Sequence, residues 1–218
     1  MKVLQLSDLH GSRRAVSAAK GLVNSLEIDL IILAGDITTF GSVSESRSFV
    51  EDFASTGARV VYVPGNCDPP ELLELDLGVE GVFNLHARTA KIHDINIGGV
   101  GGGLIASGTT WIELSEEEIE RAVSSLGRVD ILVSHTPPYG TDADVVGGVH
   151  VGSHAVRSYC EKNSPILVAC GHIHESRSVS KLGRSYVVNA GPARSGYIAL
   201  ITLENKDVKV ELTSLYGK

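Results

Sequence analysis

No apolar run in this chain of 218 residues approaches the ~18 residues that a membrane-spanning helix needs. A cleavable leader is equally hard to find. Met1-Lys2 leads directly into an apolar run whose end carries a candidate ligand, so cleavage there would remove part of a site, and a cytoplasmic protein is expected. Cysteine is scarce: Cys67, Cys160 and Cys170 are odd in number, lie in or beside apolar runs and lack C-x-x-C spacing. That argues against a disulfide framework and against a structural zinc site. Positive charge is outweighed, with 19 Lys and Arg against 26 Asp and Glu, a net charge of −7 and a pI near 5.6. A broad basic face for extended nucleic acid is therefore not expected. The chain also has no G-x-S-x-G elbow, no Walker phosphate loop, no internal repeat and no low-complexity tract.

What the chain does contain is a repeated punctuation. Val3-Leu4-Gln5-Leu6, Leu30-Ile31-Ile32-Leu33-Ala34, Val60-Val61-Tyr62-Val63, Ile131-Leu132-Val133 and Ile166-Leu167-Val168-Ala169 are apolar, mostly branched and of strand length, as buried strands are. Each is followed within a few residues by Asp, Asn or His: Asp8 and His10, Asp36, Asn66, His135, then His172 and His174. Open α/β sheets bind ligands beyond the carboxyl ends of their strands, so these seven donors are expected to meet at one sheet edge.

Strand runs alternate with helical patterns, the signature of parallel strands joined by crossovers within a single domain spanning residues 1–218. Ser12 can cap a helix to about Leu26, with Val16, Ala19, Val23 and Leu26 on its inner side, and a second runs from about Val43 to Ser55. Ser115-Glu116-Glu117-Glu118 is a capping box opening a third, and Ser153 starts a fourth that ends near Asn163. Two regions break the alternation: 82–99 reads as short strands, and Tyr197–Leu203 with Val208–Leu212 reads as a hairpin turning at Glu204-Asn205-Lys206-Asp207. Together they suggest a second, more antiparallel sheet facing the first, with helices outside. The Pro-, Gly- and Asp-rich segment 137–152 after His135 is expected to be a loop over the pocket.

Two carboxylates, one amide and four imidazoles suit manganese, iron, zinc, cobalt or nickel better than magnesium or calcium. Seven donors fit two ions that share a ligand better than one ion. Two ions ~3.5–4 Å apart can hold a bridging water, lower its pKa and stabilise in-line displacement at phosphorus. Hydrolysis of a small phosphate ester is therefore the reaction inferred, and the acidic balance does not exclude it, because bound divalent ions can make a pocket in an acidic protein positive.

In order, Asp8-Leu9-His10, Gly35-Asp36, Gly65-Asn66-Cys67-Asp68, His135 and Gly171-His172-Ile173-His174 resemble the D-x-H, G-D, G-N-H-[DE], lone His and G-H-x-H motifs of the calcineurin-like metallophosphoesterase family. The resemblance implies a four-layer α/β sandwich of two mixed β-sheets flanked by helices. It places Asp8, His10, Asp36 and His174 on a first ion and Asp36, Asn66, His135 and His172 on a second, with Asp36 bridging. Asp36, Asn66, Cys67, Asp68 and His135 are its candidate catalytic residues, two divalent transition-metal ions its cofactors, and manganese the expected metal. The family's usual His after the Asn, thought to contact the phosphate and help protonate the leaving oxygen, is Cys67 here, and a thiol matches that task less well at neutral pH. A G-N-C-D variant resembles small bacterial and archaeal members associated with phosphodiester hydrolysis. A phosphodiesterase working through a metal-bridging hydroxide is thus expected, with a phosphomonoesterase, a nuclease or a metal-binding interaction scaffold as alternatives.

Other polar residues have plainer readings. Asp68 either orients the Asn66–Cys67 region or caps the loop before Pro69-Pro70. His150 and His154 could reach substrate from the loop after His135, although an exposed pair around a helix start is the favoured reading, and His86 and His93 read as surface or strand positions. Gly98-Gly99-Val100-Gly101-Gly102-Gly103 opens no helix and reads as a place where backbones pass close to the sheets or site. Arg13, Arg14 and Arg194 could meet a phosphate, although exposed surface roles are the commoner fate of arginine.

Overall fold

The computed structural model describes residues 1–106, 108–204 and 207–216. In chain order its elements begin with β1 (Lys2–Leu6), α1 (Arg13–Leu26), β2 (Leu30–Ala34), α2 (Val43–Ala54), β3 (Arg59–Val63), β4 (Val82–Asn84), β5 (Arg88–Ile92) and β6 (Ile95–Val100). They continue with β7 (Gly103–Leu104), β8 (Glu113–Leu114), α3 (Glu116–Ser125), β9 (Ile131–Ser134), β10 (Val145–Val146) and β11 (Val149–His150). The last are α4 (His154–Asn163), β12 (Leu167–Cys170), β13 (Ser178–Leu182), β14 (Ser185–Asn189), β15 (Tyr197–Glu204) and β16 (Asp207–Ser214), with short 3-10 turns between some of them.

Two six-stranded sheets result. The first has the order β16-β15-β1-β2-β3-β4 and the second β13-β14-β12-β9-β6-β5. β1 through β4 are parallel and β15 and β16 antiparallel, while β6, β9, β12 and β14 are parallel with antiparallel β5 and β13 at the edges.

The strand alternation sorts side chains into three apolar layers. Leu4, Leu6, Ile31 and Leu33 point outward from the first sheet into a core with Val16, Ala19 and Val23 of α1 and Phe49, Val50 and Phe53 of α2. Val3, Leu30, Ile32, Val61 and Val63 face Ile97, Ile131, Val133, Leu167 and Val188 of the second sheet. On that sheet's far side Leu132, Val168 and Val187 meet Ile119, Val123, Val156 and Tyr159 of α3 and α4. This is the four-layer sandwich expected from the sequence. Truncating Leu33, which is 1 % exposed, would cost roughly 2–5 kcal/mol.

The helix starts follow their caps. Ser12, Ser42 and Ser153 each accept a backbone N–H from the first turn, and Ser115 and Glu118 close a reciprocal capping box. Glu116 does something else: its carboxylate accepts from His154 N, Ala155 N and Ser153 Oγ, capping α4 from the neighbouring helix.

One expectation is corrected. Segment 82–99 and the terminal hairpin do not share a sheet: β4 extends the first sheet beside β3, β5 and β6 join the second, and β15–β16 add to the first beside β1. A hairpin's own pattern fixes its internal pairing, but the edge it joins is decided by which apolar face remains uncovered. Part of its turn, residues 205 and 206, lies outside the described residues. Segment 137–152 is also more ordered than a plain loop, carrying a 3-10 turn at Asp142–Asp144 and the small hairpin β10–β11. It is tied by Val145 N to Ser176 Oγ, just beyond His174.

Candidate metal centre

Each predicted donor sits just beyond a strand end. Asp8 and His10 follow β1, Asp36 follows β2, Asn66 follows β3, His135 follows β9, and His172 and His174 follow β12. Strand register brings the exits together. β1, β2 and β3 are adjacent and parallel in one sheet, and β9 and β12 are adjacent and parallel in the other. Gln5 clamps the two sheets just before the site, its amide donating to the carbonyls of Cys170 and Val188.

The turns that aim these side chains are strained. Asp8, His10, Asp36 and His172 have φ of 53°, 46°, 51° and 69°, a left-handed conformation uncommon outside glycine and tolerated best by Asp, Asn and His. Glycine permits the close approach: a Cβ on Gly35 would lie 2.1 Å from His135 Nδ1, and one on Gly103 would lie 3.0 Å from Asn66 Cβ. The glycine run ending in Gly103 is therefore a place of close backbone passage, as expected.

Asp36 occupies the middle. Its Oδ2 lies 3.5 Å from His10 Nε2 and its Oδ1 3.6 Å from His135 Nε2, and Oδ1 also accepts the Cys67 backbone N–H. On one side Asp8 Oδ1 is 3.1 Å from His174 Nε2, and the His10 and His174 rings meet edge-on with centroids 5.4 Å apart. On the other, His135 Nε2 is 2.8 Å from Asn66 Oδ1, and the His135 and His172 rings lie 4.9 Å apart. Among the described residues three sets of donors converge closely enough to hold an ion: Asp8, His10 and His174; His10, Asp36 and Cys67; Asp8, Asp36 and His135. His172 belongs to none of these trios. Its ring is placed by its contact with His135 and its backbone N–H by Asp8 Oδ2.

Three observations fit this donor set to divalent cations. Two ligands of one ion, each ~2.1 Å from it, stand about 3.0–3.4 Å apart, close to the separations above. His10 Nε2 is buried with no hydrogen-bond partner among the described residues, although buried polar atoms are rarely left unpaired. His135 Nδ1 faces the Ala34 carbonyl at 2.8 Å and must carry the proton there. In the neutral ring Nε2 is then an acceptor pointed at two further acceptors, Asn66 Oδ1 and Asp36 Oδ1, an arrangement that a cation resolves.

Electrostatics favour free lone pairs on two of the imidazoles, His10 and His172. Burial pushes His10 down to about 4, against the opposing pull of Asp8, and burial together with His135 pushes His172 down to about 3. The hydrogen bond to Asp8 raises His174. Burial pushes Asp36 up, with His135 opposing and Asp8 reinforcing the shift. Burial and the neighbouring Asp36 carry the Cys67 thiol up to about 12.

Asp68 resolves toward orientation. Fully buried, it accepts from Gly65 N and Ile37 N on one oxygen and from Thr38 N and Thr38 Oγ1 on the other, at 2.7–3.0 Å. It locks the Asp36 loop to the Asn66 loop and leaves Pro69-Pro70 uncapped. Thr38, and Thr39 whose hydroxyl lies 2.9 Å from His10 Nδ1, were not legible as supporting residues. The only hint is two threonines in sequence after Gly35-Asp36-Ile37.

The arginines divide. Arg13 pairs with Asp52 and stacks on Phe49, and Arg14 lies over Tyr216, so both are engaged elsewhere. Arg194 reaches the rim, with Nη2 3.5 Å from His174 Nδ1. His150 and His154 are an exposed pair at the start of α4, His150 bonded to Asp144 and His154 stacked on Tyr139. His93 occupies the β5–β6 turn. His86 takes the strand position: it is half-buried in a β-bridge to Gly99 between β4 and β5, its Nδ1 accepting from Gly101 N.

This sandwich, with its donor cluster at paired sheet edges, is the frame of a phosphoester hydrolase. A family model for the calcineurin-like phosphoesterases matches residues 1–176, and the chain belongs to that family. An uncharacterized protein of Methanocaldococcus jannaschii is 38% identical over 205 residues, covering 88% of each chain. A probable glycerophosphodiester phosphodiesterase of Arcobacter nitrofigilis is 27% identical, covering 97% of this chain and 84% of that one. The crystal structure of a Thermus thermophilus protein, 22% identical, superposes with a TM-score of 0.79 over 98% of both chains and shares the fold. Among the described residues no helix is long and apolar enough to cross a membrane.

Proposed function

We propose that residues 1–218 act as one catalytic domain, a cytoplasmic phosphodiesterase that works with two divalent ions, manganese the expected metal, on a small phosphate ester. Asp8, His10, Asp36 and His174 would hold one ion and Asp36, Asn66, His135 and His172 the other. The observation that carries this reading is the division of the four imidazoles into two ring pairs, His10 with His174 and His135 with His172, on opposite sides of an Asp36 whose two oxygens face one member of each.

Bound together, two such ions activate water and orient a phosphoryl group for in-line attack. The chain's own residues do the positioning. His135 is fixed in one tautomer by the Ala34 carbonyl, and Asp68 holds the Asp36 and Asn66 loops in mutual register. Arg194 stands beside His174 on the rim, where a guanidinium can meet a phosphate oxygen. Cys67, with Sγ in the trio with His10 and Asp36, replaces a stronger proton donor. That favours diesters whose leaving group departs without full protonation, and the name of the Arcobacter relative points the same way.

The test is hydrolysis of bis-p-nitrophenyl phosphate and of p-nitrophenyl phosphate by chelator-stripped protein with manganese added back. Manganese-dependent turnover, faster on the diester, is expected. Equal or greater turnover of the monoester would reassign the enzyme as a phosphomonoesterase.

A further inference from the structure

Two exposed aromatic rings stand at the edge of the metal centre, and neither is used by the account above. Phe40 is 44% and Trp111 47% exposed, and their rings touch with centroids 5.1 Å apart at a tilt of 53°. Both are tied by their backbones to the residues that carry the site. Phe40 N donates to Cys67 O at 2.9 Å, while Trp111 N and Ile112 N both donate to Asn66 O at 2.9 and 3.1 Å. Phe40 has φ of 53°, a conformation uncommon for a bulky side chain and the kind of strain that clusters at ligand sites. A hydrophobic ring held facing water in a strained backbone gains nothing from burial in the core.

Beside the pair lies a cleft of about 530 Å³ between the rings, Pro69-Pro70 and the Ser42–Val43 start of α2, within the usual size of small-molecule sites. Glu71 is the charged residue at its wall, and no lysine or arginine is among the described residues lining it. The cleft is therefore unsuited to a phosphate and suited to the uncharged end of an ester whose phosphorus lies at the metal centre. Prolines and aromatic faces select planar groups, because any nucleobase has a π-face that stacks.

We propose that Phe40 and Trp111 form a stacking platform for a planar alcohol moiety, and that the substrate is a diester bearing a nucleoside. The platform rests on the phosphodiesterase reading only for the position of the phosphorus, while the diester rests on that reading itself. The chain has a single tryptophan, so Trp111 emission reports the cleft directly. Manganese-supplied protein is titrated with adenosine 5′-monophosphate and with ribose 5-phosphate, which differ by the base. The nucleotide is expected to quench Trp111 and to bind at least about tenfold more tightly than the sugar phosphate. Trp111→Leu and Phe40→Leu, followed by calorimetry, are expected to abolish that advantage and leave ribose 5-phosphate affinity unchanged. Equal binding of the two ligands by the unsubstituted protein would overturn the proposal. So would a nucleotide advantage that leaves Trp111 emission unaltered and survives both substitutions. Because binding is read without turnover, absence of diester hydrolysis with the nucleotide advantage intact would remove the phosphodiesterase reading and leave the platform standing.

Discussion

Gly65 and Asp36 are in such close contact that a Cβ built on Gly65 would lie 2.0 Å from Asp36 Oδ1 and 2.2 Å from Asp36 N. The carboxylate that faces both imidazole pairs is thus seated against bare backbone. Gly65→Ala must move Asp36 or the β3 exit. A displacement of about 1 Å at a reacting centre can cost about 100-fold in rate, and that loss in kcat is the expected outcome, with the far-ultraviolet circular dichroism of the folded sandwich retained. Unchanged kcat would show that Asp36 has slack the geometry denies.

Cys67 offers a second test. An imidazole of ordinary pKa ~6.5 donates a proton at neutral pH far more readily than a thiol that burial and Asp36 carry up to about 12, and general acid catalysis is worth about 100-fold or more when the leaving group needs the proton. Cys67→His is therefore expected to raise kcat/KM for a diester with an alkyl alcohol leaving group while changing that for bis-p-nitrophenyl phosphate little, since nitrophenolate leaves unaided. The measurement is the ratio of the two rates. An identical ratio in both proteins would remove leaving-group protonation from the account of this position.

His86 ties acid stability to the fold. Burial, with Arg88 contributing, pushes its pKa down to about 4 from 6.5, and its Nδ1 accepts the Gly101 N–H at 3.0 Å. Between those values the unfolded chain takes up a proton that the folded chain refuses, so stability falls as pH drops from 6.5 toward 4. The full effect is about 3 kcal/mol. His86→Asn keeps an acceptor and removes the titration, so urea midpoints measured across this range should fall less steeply than in the unsubstituted protein. Parallel curves would assign the acid sensitivity to other groups.

The donor cluster was legible because each ligand ends a buried strand. Val3 to Leu6 and Leu30 to Ala34 can only be core, so Asp8 and Asp36 had to emerge at the same sheet edge. Strand partners across sheets were less legible. Alternating burial in β15 and β16 encodes their mutual pairing but carries no information about β1 as the other neighbour of β15. Asp68 could not be resolved from its own segment, since three of its four donors belong to Ile37, Thr38 and the Thr38 hydroxyl, about thirty residues earlier in the chain. Trp111 was invisible for the opposite reason: it sits in no periodic element, and backbone bonds from Trp111 and Ile112 to Asn66 O bring it to the site.

The most direct test is metal stoichiometry, measured by elemental analysis after stripping, manganese reconstitution and desalting, alongside turnover of bis-p-nitrophenyl phosphate. Two manganese ions per chain are expected, falling to about one in His174→Ala with most turnover lost and the fold retained. A single ion in the unsubstituted protein, or two ions and full turnover in His174→Ala, would contradict the two-ion centre built around Asp36.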